Sequence, residues 1–471
     1  MKLALAWFRR DLRLADNPAL AAALEDAEAV LPVYLWSPQD EGEWAPGAAT
    51  RWWLHESLAA LDASLRARGS GLLLRAGPTV DTLAALVAET GAAAVYWNRL
   101  YEPGAAALDT ALESRLHADG IATRSFNAAL LHEPRALETG KGDPYRVFTP
   151  FWKAVLKRAQ PAPPLAPPPH LKAPRDWPPP LGLDALGLQP GVRWYDGLAA
   201  TWTPGEAGAL VRLDDWCGTG LGRYAESRDR PDQDGTSMLS PHLHHGELSP
   251  RQAWHAATAR RGEFQERHLE CWLRELGWRE FAHHVLFHFP HTPSEPLHAK
   301  YAAFPWRERH EPLLDAWQRG RSGIPIVDAG MRQLWETGWM HNRVRMIAAS
   351  LLVKNIRAPW QQGARWFWDT LVDADLANNT MGWQWSAGCG ADAAPYFRIF
   401  NPVTQGEKFD PHGHYVKRWV PELAALPAGR VHRPWDQPVN GYPPPVIDLR
   451  RSRAEALAAL SSLKNVKRGH C

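Results

Sequence analysis

The chain has 471 residues, 45% hydrophobic and 22% charged, with a formal net charge of +2; that is too long for one small core and predicts two or three globular domains. No apolar run approaches a membrane span, and MKLALAWFRRDLR meets charge too early for a signal peptide. Cys217, Cys271, Cys389 and Cys471 show no C-x-x-C spacing, which excludes a disulfide scaffold and predicts a cytoplasmic protein with no membrane partner.

Residues 1–130 alternate in type. Short apolar runs at 3–8, 29–36, 71–75, 92–98 and 121–126 suit buried strands, and helical patterns lie between them, clearest at 49–69 and 104–119. Such alternation predicts an α/β domain built on a doubly wound parallel sheet, with ligands beyond the C-terminal ends of the strands. No G-x-G-x-x-G follows the first strand. WFRRDLR occupies that turn, so an ordinary dinucleotide site is not expected there. Residues 131–202 read as a linker with ten prolines at 161–180, which lack backbone donors and fix φ, giving an extended connector.

From 203 to 471 strand patterns vanish. Helical ones follow at 206–218, 249–261, 267–289, 326–337, 342–356 and 364–374, so this half is read as a large all-helical domain. Charge divides along the same line. Residues 1–150 hold 14 Lys and Arg against 19 Asp and Glu, and the remainder 39 against 32, a balance that suits a polyanionic partner.

Four segments of the helical half share an unusual composition. The first runs from Tyr224 to GTSMLSPHL, where Thr236, Ser237 and Ser240 offer hydroxyls and backbone N–H groups to an anion, or equally an N-cap. In CWLRELGWREF, Trp272, Glu275 and Arg279 share a helix face beside Trp278. An indole wall with one carboxylate suits base recognition, because stacking contributes roughly 1–3 kcal/mol per base. In WMHNRVRM, Asn342, Arg345 and Met346 share a face. The fourth segment, 373–402, combines Asp373, Asp375, Asn379, Trp383, Trp385 and Arg398. Buried polar groups of this kind require partners, and the neighbouring indoles point to a flat, polar-edged ligand. Arg345 and Asp373 are placed to neutralise each other beside it.

In order along the chain, WFRRDLRLADNPAL, GTSMLS, WLRELGWREF, WMHNRVRM, DADLANN through GWQW, and APYFRIFNPVTQGEKFDPHG resemble the photolyase/cryptochrome family over nearly the whole length. Within it the chain looks most like a class I cyclobutane pyrimidine dimer photolyase. The resemblance implies an N-terminal antenna domain, a long linker and a helical domain holding FAD. Tyr224, Thr236, Ser237, Leu239 and Ser240 match the FAD phosphate region. Trp272, Asn342, Arg345, Asp373 and Asp375 match other FAD contacts, and Asn379 matches the asparagine facing flavin N5. Trp306, Trp360 and Trp383 match a chain of indoles carrying an electron from the surface to photoexcited FAD.

On the DNA side, Glu275, Trp278, Asn342, Met346 and Trp385 match the dimer pocket, and Arg228, Arg343 and Arg398 match phosphate contacts. The implied partner is UV-damaged DNA, bound by a monomer with little sequence preference. The implied reaction takes a flipped-out dimer, and one electron from reduced, photoexcited FAD splits it. Glu275 would hydrogen-bond the thymine carbonyls, which requires a protonated or shared-proton carboxyl.

Two places depart from the class I pattern. Met381-Gly382 stands where Gly-Gly is commoner. Tyr101-Glu102 is followed by Pro103, Gly104 and Ala105, so the Asn-Glu pair that binds methenyltetrahydrofolate is missing. Residues 44–58 and NRLYEP look more like class III photolyases and plant cryptochromes. For the second chromophore, methenyltetrahydrofolate in another pose, a deazaflavin, or none are the alternatives; Trp52 and Trp53 can stack a pterin or pack a helix on the sheet. Competing functions are a (6-4) photolyase, which places histidine where Asn342 stands, a cryptochrome, against whose long signalling tail the short stretch after PHGHYVKRWVPEL weighs, and a non-enzymatic flavoprotein.

Overall fold

The computed structural model describes residues 2–158, 160–393 and 398–466. Strands β1 (Leu3–Phe8), β2 (Ala29–Trp36), β3 (Leu73–Ala76), β4 (Ala94–Asn98) and β5 (Ala122–Phe126) form one parallel sheet in the order β3-β2-β1-β4-β5. β1 and β2 read as continuous apolar runs because helices cover both faces. Ala4, Ala6, Phe8, Val30 and Tyr34 pack under the Pro18–Asp26 and Ala48–Arg66 helices. Leu5, Trp7, Leu31, Val33 and Trp97 pack under Thr79–Thr90 and Pro103–Ala118. Pro32 is tolerated in β2 because β2 pairs with β3 only from Val33 onward, so its missing N–H breaks no rung of that ladder. The strand order reverses between β1 and β4, which opens a crevice at their C-terminal ends.

The expected linker is ordered at both ends. Phe148–Lys157 is a helix whose buried face, Phe148, Phe151, Trp152 and Val155, joins the core of the helical half. The proline-rich stretch runs over the α/β domain without helix or strand, tied down where the Leu165 N–H donates to Asp16 and the Val30 N–H to the Lys172 carbonyl.

The helical half differs from its sequence pattern at three ends. Glu206–Asp215 runs into a π turn, Trp216–Gly220, where a Cβ on Gly220 would lie 2.1 Å from the Trp216 ring. Asn342–Ser350 likewise widens into a π turn, Leu351–Ile356, that stops at Arg357 with φ +58°. The helix expected at 364–374 is shifted to Trp360–Thr370. Residues 371–374 leave it because the Val372 N–H bonds the Gly338 carbonyl and Asp375 caps the next helix, Leu376–Ala387. That last helix is central: Glu266–His288, Asn342–Ser350 and Trp360–Thr370 all pack on it.

WFRRDLR proves to be a latch between the halves. Arg13, 1% exposed, donates to the carbonyls of Gly246, Asp16 and Ala128, and the Leu12 N–H donates to the His245 carbonyl. Gly246 has φ +68°, and a Cβ there would sit 2.0 Å from the Arg10 carbonyl oxygen, so only glycine allows the approach. Arg10 pairs with Glu102 at 2.7 Å, and Arg9 with Asp109 at 2.7 Å.

Candidate cofactor and DNA site

The Leu376–Ala387 helix starts where the Asp375 carboxylate accepts from the Asn378 N–H at 2.8 Å, an N-cap that satisfies an otherwise orphan donor. Its two sides differ in burial. Leu376, Ala377, Thr380, Trp383, Gln384 and Ala387 face the core, whereas Asn378, Asn379, Met381, Gly382 and Trp385 are more open. Nothing lies within 4 Å of a Cβ built on Gly382, so this side looks onto free space.

The expected residues gather in three groups. In the first, Arg345 Nη2 lies 2.9 Å from Asp373, which also accepts from the Ser240 hydroxyl at 2.6 Å; the neutralising pair read from the sequence is formed. In the second, Arg228 lies 2.5 Å from Glu275 and 5.6 Å over the Tyr224 ring, and Arg343 pairs with Asp229 at 2.7 Å and rests 4.5 Å over Phe409. Met346 is half-buried and 3.8 Å from the Arg343 guanidinium; Asn342 is exposed. In the third, Trp385 and Arg398 both flank Phe400, at 6.5 and 4.8 Å, in a small pocket with Ser350 and Lys354. Residues 394–397 of APYFRIFNP lie outside the described residues.

The remaining positions lie at different depths. Trp272 and Leu239 are core residues beside Tyr224. Trp278 stacks on Phe148 with centroids 3.7 Å apart. Arg279 does not pair with Glu275; it donates to the Ala129 carbonyl at 2.6 Å and flanks Glu280. Glu275 is open on one side but otherwise enclosed, with 31% of its side chain exposed. Desolvation pushes its carboxyl above the ordinary range even though Arg228 pulls the other way.

Trp383 is in the core against Phe367 at 4.9 Å and Trp317 at 6.2 Å. Trp360 is as buried as Trp383, and half-buried Trp306 borders the same cavity as Trp360, so only the last of the three indoles reaches solvent.

Two observations test whether FAD fits these residues. Among the described residues, the backbone N–H groups of Thr236, Ser237, Met238 and Leu239 and the hydroxyls of Thr236 and Ser237 have no protein partner, a donor set that matches phosphate oxygens. Asn379 donates Nδ2 to the Ala364 carbonyl at 3.0 Å, which leaves its Oδ1 to accept from a ring N–H. The residues fit.

One buried network escaped the sequence reading. Asp375 lies 3.4 Å from His283 and 3.9 Å from His244, with Glu102 within ligand distance. These are metal-ligand residue types, but Arg10 already supplies the positive charge at Glu102. The signal was present in HLHHGE and in the histidine pair at 283–284, yet nothing local says that they meet residue 102. Asp375 therefore serves the seam between the halves as well as the cap. Beside it, where β1, β2 and β4 end, is a cavity of about 350 Å³ walled by Trp7, Tyr34, Trp36 and Trp44.

Family models for DNA photolyase and for the FAD-binding domain of DNA photolyase match residues 4–170 and 272–462. A deoxyribodipyrimidine photo-lyase of Agrobacterium fabrum is 47% identical over 98% of both chains. Cryptochrome-1 of Arabidopsis thaliana is 39% identical over 98% of this chain and 70% of its own. A crystal structure of a bacterial class III photolyase from Agrobacterium tumefaciens, 46% identical, superposes with a TM-score of 0.96 over 99% of this chain and 98% of its own. The chain belongs to the photolyase/cryptochrome family and carries its FAD-binding domain. Among the described residues no helix is long and apolar enough to cross a membrane.

Proposed function

We propose that the protein is a light-dependent photolyase that splits cyclobutane pyrimidine dimers in DNA. The observation that carries this reading is the two-sided Leu376–Ala387 helix, with Trp383 in a buried aromatic cluster and Trp385 on the more open side, sharing a small pocket with Arg398. FAD would be held by Thr236, Ser237, Ser240, Arg345, Asp373 and Asn379, and what it supplies when bound is a light-driven single-electron donor to the dimer.

The chain's own residues do the rest. Trp385 and the face of Trp278 turned away from Phe148 would receive a dimer turned out of the stack; that costs least for a poorly paired lesion. Arg228, Arg343 and Arg398 hold the strained backbone without reading sequence. Glu275, its carboxyl raised by burial, presents a proton to a thymine carbonyl as negative charge develops there. Trp306, Trp360 and Trp383 connect the surface to the cofactor.

The antenna end supports class III rather than class I: the Asn-Glu pair is missing after Tyr101-Glu102, and residues 44–58 follow the other pattern. The 350 Å³ cavity is our candidate for a second chromophore, a folate or a deazaflavin, since its aromatic walls suit a flat ring. The test is blue-light repair of oligonucleotides carrying one defined lesion, with a dark control. Dimer splitting is expected; repair of (6-4) products alone would overturn the lesion assignment. Flavin photoreduction without any repair would favour the cryptochrome reading, in keeping with the 39% identity to cryptochrome-1.

A further inference from the structure

A second cavity, of about 230 Å³, lies in the helical half, walled by Tyr301, Phe304, Trp306 and Trp360. It falls below the roughly 300 Å³ at which pockets for drug-sized ligands begin, so it suits a single ring. Four aromatic side chains favour a flat ligand. Gln361, in the same wall, donates Nε2 to the Ser294 carbonyl at 3.0 Å and leaves its Oε1 buried with no donor. The carbonyl partner fixes which end of the amide is which, so the unmet need is for a hydroxyl or N–H. Glu295 in the wall is exposed to solvent, which screens its charge. Burial pushes the Cys389 thiol, also in the wall, up to about 12, so it stays neutral. The cavity therefore favours a neutral ligand.

We propose that this cavity is a docking site for a small neutral phenolic reductant of the hydroquinone type, which returns an electron to Trp306. The proposal rests on the reading of Trp306, Trp360 and Trp383 as an electron chain. Once light has drawn an electron inward along it, the Trp306 indole is one electron short. A docked hydroquinone gives up one electron to the indole and one hydroxyl proton to water. Two of the resulting radicals disproportionate to one quinone and one hydroquinone. Docking makes the electron transfer intramolecular, so it outpaces the collisions of a reductant that cannot enter.

Hydroquinone itself is the probe. Saturation-transfer NMR in the dark reports binding, and the initial rate of light-driven FAD reduction is followed against hydroquinone concentration. We expect saturation transfer and a hyperbolic rate curve in the parent protein. Gln361→Leu should bind about fivefold more weakly, the worth of one hydrogen bond. Ala302→Phe, at an exposed residue of the wall, should abolish both signals while leaving dimer repair by chemically pre-reduced protein unchanged. Ferrocyanide, a charged donor, should give the same linear dependence in all three proteins. No saturation transfer in the parent, or hydroquinone rates unaltered by Ala302→Phe, would overturn the proposal. If flash excitation of the parent yields no tryptophan radical, the electron-chain reading falls, and with it the proposed role; the dark NMR then reports binding alone.

Discussion

The Glu275 carboxylate lies 2.5 Å from the Arg228 guanidinium, and both side chains are partly open to solvent. The pair sets opposing demands on Glu275, because desolvation favours its neutral form and Arg228 its charged form, and desolvation prevails.

If the protonated carboxyl is the working form, repair falls as pH rises through the raised Glu275 value. Glu275→Gln, which keeps a donor at every pH, should flatten that fall, as measured by repair yield per absorbed photon from pH 5 to 9. Arg228→Gln removes the opposing charge and should shift the fall to higher pH. The same change should reduce the slope of log K against log salt for damaged duplex by about 0.9, the share of one phosphate contact.

Arg345 and Asp373 form a pair whose carboxylate is almost wholly buried. Asp373→Asn leaves Arg345 without its counter-charge and weakens the Ser240 contact. Losing a charge-assisted hydrogen bond costs about 1.5–3 kcal/mol, so flavin affinity should drop roughly tenfold or more. Flavin content after dialysis, read by absorbance at 450 nm, checks this. Retention of full flavin content would remove Asp373 from the cofactor site.

Asp375 and His283 make stability depend on pH in a defined window. Burial alone would raise the carboxyl and lower the imidazole, but their mutual attraction wins, holding Asp375 well below the ordinary 3.8 and His283 above the ordinary 6.5. A depressed carboxylate stabilises the fold above its unfolded value and loses that as acid reaches its folded value. A raised histidine stabilises below its unfolded value and loses that as pH climbs through its folded value. Both contributions are present in full between 3.8 and 6.5. His283→Gln should lower the melting temperature within that window and remove the decline on its alkaline side, measured by calorimetry across pH.

Trp360→Phe should abolish light-driven reduction of oxidised flavin in the presence of external reductant. Dimer repair by protein reduced chemically beforehand should be unaffected. Loss of both activities would mean that Trp360 is structural, since it is nearly fully buried.

Local pattern made much of the architecture legible. Strands 3–8 and 29–36 were placed to the residue because sheets covered on both faces demand unbroken apolar runs. Helix ends were less legible where the cause is distant: residues 371–374 carry helical composition, yet Val372 is drawn off by Gly338. The site divided the same way. The Arg345–Asp373 pair could be read because both residues stand in motifs with no core role. The role of Arg279 was not legible, because its position on the Glu275 face says nothing of its actual partner, the Ala129 carbonyl, 150 residues away. The Glu102–His283–Asp375 network was invisible for the same reason, since each member is ordinary in its own neighbourhood.

The Arg13 latch has a consequence for synthesis. The guanidinium is made early, but the Gly246 carbonyl that receives it lies 233 residues further along. The nascent α/β domain has the Asp16 and Ala128 carbonyls but not the third acceptor, and a buried cation short of a partner is disfavoured, so on the ribosome water takes that place and the mouth stays unfinished. Only when the SPHLHHGE segment emerges can the turn close. The N-terminal domain is thus a unit by topology but not by maturation, and expressed alone it would present an open, charged edge where the intact protein has a sealed seam.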